Sequence, residues 1–146
     1  MQGSATDILV IEDNPHDAEL TLHALRDVVP AGAIAVAEDG AAALEWFFGA
    51  AGLLAGGGAR LPRVVFVDLK LPRVDGLTVI KRLKGDPRTQ GMPLVVLTSS
   101  AEQGDVAESY RLGANGYLVK PVAYDQYMSM VSQAGRYWVQ VNFGAT

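Results

Sequence analysis

Glu12-Asp13, Asp68, Thr98 and Lys120 each stand at the end of a short apolar run, and together they supply three carboxylates, a hydroxyl and an ammonium. Carboxylates gathered at one place repel one another, which raises their proton affinity unless a cation neutralises them. All-oxygen donors suit a hard divalent ion, and Mg²⁺ accepts one or two carboxylates together with phosphate oxygens while keeping several waters. In that chemistry Glu12 and Asp13 bind the metal. Asp68 acts as a carboxylate nucleophile and becomes an aspartyl phosphate, Lys120 and the metal balance the charge on the transferred group, and Thr98 hydrogen-bonds a phosphoryl oxygen. Singly, each residue has a plainer reading: acids beside a helix start complement its dipole, an Asp at a strand end is a turn residue, and a Lys is most often solvated. The chemical reading prevails because four different strand ends deliver complementary parts of one site.

The elements that would gather them are apolar runs at 8–11, 64–67, 94–97 and 117–119, rich in β-branched residues and without polar alternation. That pattern marks strands buried on both faces of a parallel sheet. A weaker strand fits 33–37, and helical patterns cover 15–29, 41–49, 77–84, 102–112 and 124–141. Asn14 can cap the first helix, Pro15 suits its first turn, and Ser99 with Glu102 makes a capping box for the fourth. Five alternating βα units give a doubly wound α/β sandwich, in which ligands bind outside the carboxyl ends of the strands. One domain is expected over residues 1–146, with its core at about 6–142 and a flexible surface loop at 49–62 around Gly56-Gly57-Gly58.

Composition narrows the function. The chain has 146 residues, 49% of them apolar, and no cysteine, so disulfide scaffolds, thiolate metal sites and cysteine nucleophiles are excluded. A domain of this length hides roughly two-thirds of the surface its unfolded chain exposes, enough for a purely apolar core. The net charge is −4 and the four Lys and eight Arg are scattered, which argues against a nucleic-acid partner. Residues 1–7 lack the basic segment and apolar core of a secretion signal, and no apolar run approaches the ~20 residues that span a bilayer. A cytoplasmic protein with no membrane contact is expected.

These residues resemble the receiver domain of bacterial two-component response regulators. The resemblance is carried by Ile8-Leu9-Val10-Ile11-Glu12-Asp13-Asn14, by Asp68-Leu69-Lys70-Leu71-Pro72 with Asp75-Gly76, by Leu97-Thr98-Ser99, and by Gly113-Ala114 leading to Tyr117-Leu118-Val119-Lys120-Pro121. It implies a flavodoxin-like five-stranded parallel sheet of order 2-1-3-4-5 with five helices. It also implies Asp68 as phosphoacceptor, with Mg²⁺ held by Glu12, Asp13, Asp68 and the backbone carbonyl of Lys70. Thr98 becomes the switch hydroxyl, Tyr117 the switch aromatic and Lys120 the phosphate-pairing lysine, and the Lys120–Pro121 bond is expected to be cis. The acidic pair is Glu-Asp rather than the commoner Asp-Asp, which implies that the longer Glu12 reaches the metal through water. A narrower resemblance, to single-domain regulators serving phytochrome-type kinases, rests on Asp86-Pro87-Arg88-Thr89, Thr98-Ser99-Ser100, Glu108-Ser109-Tyr110-Arg111-Leu112-Gly113 and an aromatic carboxyl tail.

The resemblance makes a sensor histidine kinase the donor and limits the receiver's catalysis to its own phosphorylation and dephosphorylation. The sequence ends soon after the fifth helix, so output by protein contact is expected, through helix four, strand five and helix five. On that last helix Tyr124, Tyr127, Met128, Val131, Ala134 and Trp138 form one sheet-facing arc. Met130, Tyr137 and Val141 form a second stripe, from which a homodimer through helices four and five and the tail around Phe143 is expected. The alternative enzyme is an aspartate-nucleophile phosphohydrolase, which needs an acid two residues after the nucleophile, where this chain has Lys70. A flavin or nucleotide module needs a Gly, Ser and Thr phosphate loop after strand one, where this chain has Glu12-Asp13-Asn14-Pro15. A degenerate receiver serving only as a scaffold finds no support, because every site residue is present. His16 and His23 read as surface residues rather than phosphodonors.

Overall fold

The apolar runs pair side by side as β1 (Ile8–Ile11), β2 (Ile34–Ala37), β3 (Val64–Val67), β4 (Leu94–Thr98) and β5 (Gly116–Val119). They form one parallel sheet of order β2-β1-β3-β4-β5 in a computed structural model that describes residues 5–57 and 60–144. The period of two along each strand divides the core between the sheet's faces. Leu9, Ile11, Val65, Val67, Leu94 and Val96 pack with α2 (Gly40–Phe48) and α3 (Gly76–Gly85), while Leu112 and Ala114, just past α4 (Gln103–Arg111), close the same layer. Ile8, Val10, Val64, Phe66, Val95 and Leu97 pack with α1 (Pro15–Leu25) and α5 (Tyr124–Arg136). Every side chain of β1, β3 and β4 is buried, which is why their sequences carry no polar alternation. Among the described residues no helix is long and apolar enough to cross a membrane.

Register does the gathering. Ile11 pairs with Val67, so the next residues, Glu12 and Asp68, emerge side by side at the carboxyl edge. Thr98 pairs with Val119, which sets Lys120 one residue beyond Thr98 on the neighbouring strand. A Cβ at Gly76 would collide with the carbonyl oxygen of Asp68, so only glycine lets α3 start this close to the end of β3.

Several element ends differ from the sequence expectation. Asn14 does cap α1, accepting from the Asp17 N–H, but the helix stops at Leu25 rather than 29 and gives way to turns before Pro30. The Ser99–Glu102 capping box is not made. Glu102 itself is the N-cap and no side chain caps the helix; the Ser100 hydroxyl instead accepts from the Glu102 N–H and donates to Asp105. The last helix is α-helical only to Arg136 and widens into a π-helical turn over Tyr137–Val141. Tyr124 is exposed rather than sheet-facing, because it opens α5 before the helix reaches the sheet. The stretch after α2 is tied back to it, Leu53 and Leu54 donating to the carbonyls of Trp46 and Phe47 and packing against the core. Residues 58 and 59 of the expected 49–62 loop lie outside the described residues.

Candidate functional site

Asp68 sits at the centre of the carboxyl edge, with both carboxylate oxygens engaged. Its Oδ1 accepts from the Thr98 hydroxyl at 2.8 Å and from the Lys70 N–H at 3.2 Å, and its Oδ2 accepts from Lys120 Nζ at 2.8 Å. Lys120 uses its two remaining protons on Glu12 Oε1 at 2.6 Å and Asp17 Oδ2 at 2.9 Å. The other Glu12 oxygen accepts from the Asn14 N–H. Asp13 is exposed at the rim. Glu12, Asp13 and Asp68 each present one carboxylate oxygen, and the three atoms lie within 4.8 Å of one another.

Burial sets the electrostatics, since the side chains of Lys120, Glu12 and Asp68 are only 6%, 3% and 9% exposed. It pushes the Glu12 carboxyl up to about 7, against the opposing pull of the Lys120 hydrogen bond and charge. Burial acts the same way on Asp68 but is outweighed there by the Lys120 hydrogen bond and charge and by donation from Thr98 and the Lys70 N–H. Asp68 is therefore held below the ordinary carboxylate range. Lys120 loses hydration yet is held above the ordinary lysine range by its bonds to Asp68, Glu12 and Asp17. The arrangement is an ionised carboxylate nucleophile beside a fixed ammonium. With three clustered carboxylates and hard oxygen donors throughout, the pocket fits a divalent cation of the Mg²⁺ or Mn²⁺ type.

The structure therefore brings together Glu12, Asp13, Asp68, Thr98 and Lys120. The Lys70 side chain points away toward Asp105, while its backbone N–H serves Asp68. Tyr117 is half-buried, its hydroxyl donating to the Ser100 carbonyl at 2.8 Å. Thr98 reaches Asp68 in this conformation, so the two residues expected to act as the switch face different partners. The expected cis bond at Lys120–Pro121 is corrected: no peptide bond among the described residues is cis. A trans X–Pro bond is the lower-energy isomer by ~0.5–1 kcal/mol, and Lys120 reaches its three acceptors with that bond in place. His16 and His23 are exposed on α1. Sequence reasoning missed Asp17. Its signal was its place in the first turn of α1, three residues after the Asn14 cap, where an acidic side chain looks merely like a dipole partner.

Strand order, the acid cluster and the hydroxyl and ammonium on adjacent strand ends define a receiver, and the chain belongs to the response regulator receiver domain family, whose model matches residues 8–132. Phosphorylation on an aspartate is implied by that membership. Among its relatives, the probable methanogenesis regulatory protein FilR2 of Methanothrix harundinacea is 37% identical over 92% of this chain and 84% of its own length. The response regulator Rcp1 of Synechocystis is 31% identical over 91% of this chain and 88% of its own length. The Mn²⁺-bound structure of Rcp1 superposes with a TM-score of 0.83 over 95% of this chain and 98% of that one. The phosphorylated cyanobacterial phytochrome response regulator RcpA is 26% identical, with a TM-score of 0.86 over 98% of this chain and all of that one. The chain is thus similar to phytochrome-associated response regulators over nearly its whole length.

Proposed function

We propose that this protein accepts a phosphoryl group on Asp68 from the phosphohistidine of a sensor kinase, and signals by contact with other proteins as a single receiver unit over about residues 6–142. The observation that carries the reading is the bonding of Asp68, buried and ionised, with a hydroxyl and an amide on one oxygen and an ammonium on the other. An Asp68 oxygen forms a bond to phosphorus as the phosphorus–nitrogen bond to the kinase imidazole breaks. The electron pair of that bond leaves on nitrogen, which takes up a proton, and the product is an acyl phosphate. Because Asp68 is already ionised, no proton has to leave it. Lys120 and Thr98 donate to oxygens of the transferred group, so the receiver catalyses the step by positioning and charge neutralisation. Glu12, Asp13, Asp68 and the Lys70 carbonyl are the groups to hold Mg²⁺, which when bound supplies positive charge against the phosphoryl oxygens. Water attack on the acyl phosphate, reversing the modification, uses the same groups.

Switching follows from charge. The phosphoryl group adds about two negative charges at pH 7, and Thr98 and Tyr117 are the side chains we assign to transmitting it, biasing the α4–β5–α5 face between two packings. Similarity to RcpA supports a phytochrome-type kinase as donor, and an ATP-fed kinase places the exchange in the cytoplasm. A homodimer remains our reading of the carboxyl tail, over a narrower face than the sequence stripe. Met130 packs against the inner core, whereas Tyr137 and Val141 are exposed and Phe143 wholly so. Intact-mass measurement after incubation with acetyl phosphate and Mg²⁺ tests the acceptor: wild type should gain one phosphate and Asp68→Ala none, and an equal gain in both refutes the reading. Sedimentation before and after phosphorylation tests the dimer. A monomer in both states at high concentration refutes it.

A further inference from the structure

Lys120 has three protons to donate, and three carboxylates receive them. Two of those partners are committed elsewhere: Asp68 supplies the oxygen of the acyl phosphate, and Glu12 belongs to the acid cluster that fits a cation. Asp17 belongs to neither. It approaches from α1 rather than from a strand end, and α1 fixes it, since its own N–H is held by the Asn14 side chain that starts the helix. Its side chain is 25% exposed while that of Lys120 is 6% exposed, which makes Asp17 the most solvent-exposed of the three acids that hold the ammonium.

From this geometry we propose that Asp17 is a positioning residue for phosphoryl transfer. It anchors the third proton of Lys120 and so keeps the ammonium aimed at the phosphoryl group while Asp68 and Glu12 change partners. The inference rests on the phosphoacceptor reading and adds to it a residue outside the strand-end set. Two effects of Asp17 oppose each other. Its bond orders Lys120, which favours transfer; its negative charge repels the incoming phosphoryl donor, which disfavours it. Asp17→Asn keeps an acceptor oxygen and removes the charge, whereas Asp17→Ala removes both, so the pair separates the effects.

The experiment is the rate of phosphate gain from acetyl phosphate with Mg²⁺, followed by intact mass, for wild type, Asp17→Ala, Asp17→Asn, Lys120→Met and Asp17→Ala combined with Lys120→Met. Near-ultraviolet circular dichroism checks that each variant is folded. Asp17→Ala should be about tenfold slower, the size of one lost charge-assisted hydrogen bond, with Asp17→Asn within about threefold of wild type. On the Lys120→Met background, Asp17→Ala should change the rate by less than about twofold, because its route of action is gone. A structural role for Asp17 would leave the tenfold loss intact on that background and overturns the inference. So does an Asp17→Ala variant as fast as wild type, or an Asn variant as slow as the Ala variant. A wild type that gains no phosphate overturns the acceptor reading itself, whereas a labelled wild type beside an equally fast Asp17→Ala overturns this inference alone.

Discussion

Lys120→Met keeps most of the buried stem and removes the one cation that, among the described residues, pairs with Glu12, Asp17 and Asp68. All three ion pairs lie between 2.6 and 2.9 Å, and the lysine side chain is 6% exposed. Removing one partner from a buried pair leaves an uncompensated charge and typically costs ~3–5 kcal/mol. The site has a partial escape, because Glu12 stands at about 7 while Lys120 is pulling it down. Without the ammonium its proton is held more firmly, and one of the three acids becomes neutral. At pH 8 wild-type Glu12 is ionised and the missing cation is felt most, so we expect a loss of about 3 kcal/mol there. At pH 5.5 Glu12 carries its proton in both proteins, and the loss should shrink to about half that. For a chain of this length about 3 kcal/mol corresponds to a melting temperature roughly 6–12 °C lower. Urea unfolding followed by Trp46 and Trp138 fluorescence at the two pH values measures it. A divalent cation at a hundred times its dissociation constant should return ~2.7 kcal/mol, by binding only the folded chain. A loss below about 1 kcal/mol at pH 8, or one larger at pH 5.5 than at pH 8, refutes the assignment of Lys120 as the charge that holds this cluster together.

Glu12→Gln should flatten the pH dependence of stability. A carboxyl raised from 4.5 to about 7 on folding contributes its stability below 4.5 and loses it as pH rises through about 7, whereas Asp68, shifted the other way, acts only below about 4. Urea midpoints should therefore fall between pH 5 and 7.5 in wild type and fall less in the variant. Gly76→Ala puts a methyl group against the Asp68 carbonyl, and should cost ~2–3 kcal/mol in unfolding experiments and slow phosphorylation from acetyl phosphate as the acceptor shifts. Lys84→Met is the complementary control. Lys84 Nζ donates to the carbonyls of Gln90 and Met92 and to Asn115 Oδ1, so its loss should cost ~1.5–3 kcal/mol while leaving the phosphorylation rate of the folded protein unchanged.

The strand-end residues were legible because they depend on few physical rules. Apolar runs without alternation announce strands covered on both faces, parallel strands share a carboxyl edge, and any polar residue that ends such a run arrives there. Glu12, Asp13, Asp68, Thr98 and Lys120 needed nothing more. Helix side chains are less predictable, because what they meet depends on rotation and crossing against a distant element. Asp17 reaches Lys120 across 103 residues of chain, and Thr21, one turn further along α1, reaches the Tyr127 hydroxyl on α5 across 106. Met130 packs against the inner core although helical periodicity put it on the same stripe as the exposed Tyr137 and Val141, because what a helix side chain meets depends on which neighbouring element covers that turn. The amino-acid sequence by itself determined the sheet, its chemical edge and the family. Tertiary packing alone decided how three acids divide one ammonium, because a charge taken from water settles on whichever partners the fold brings within 3 Å.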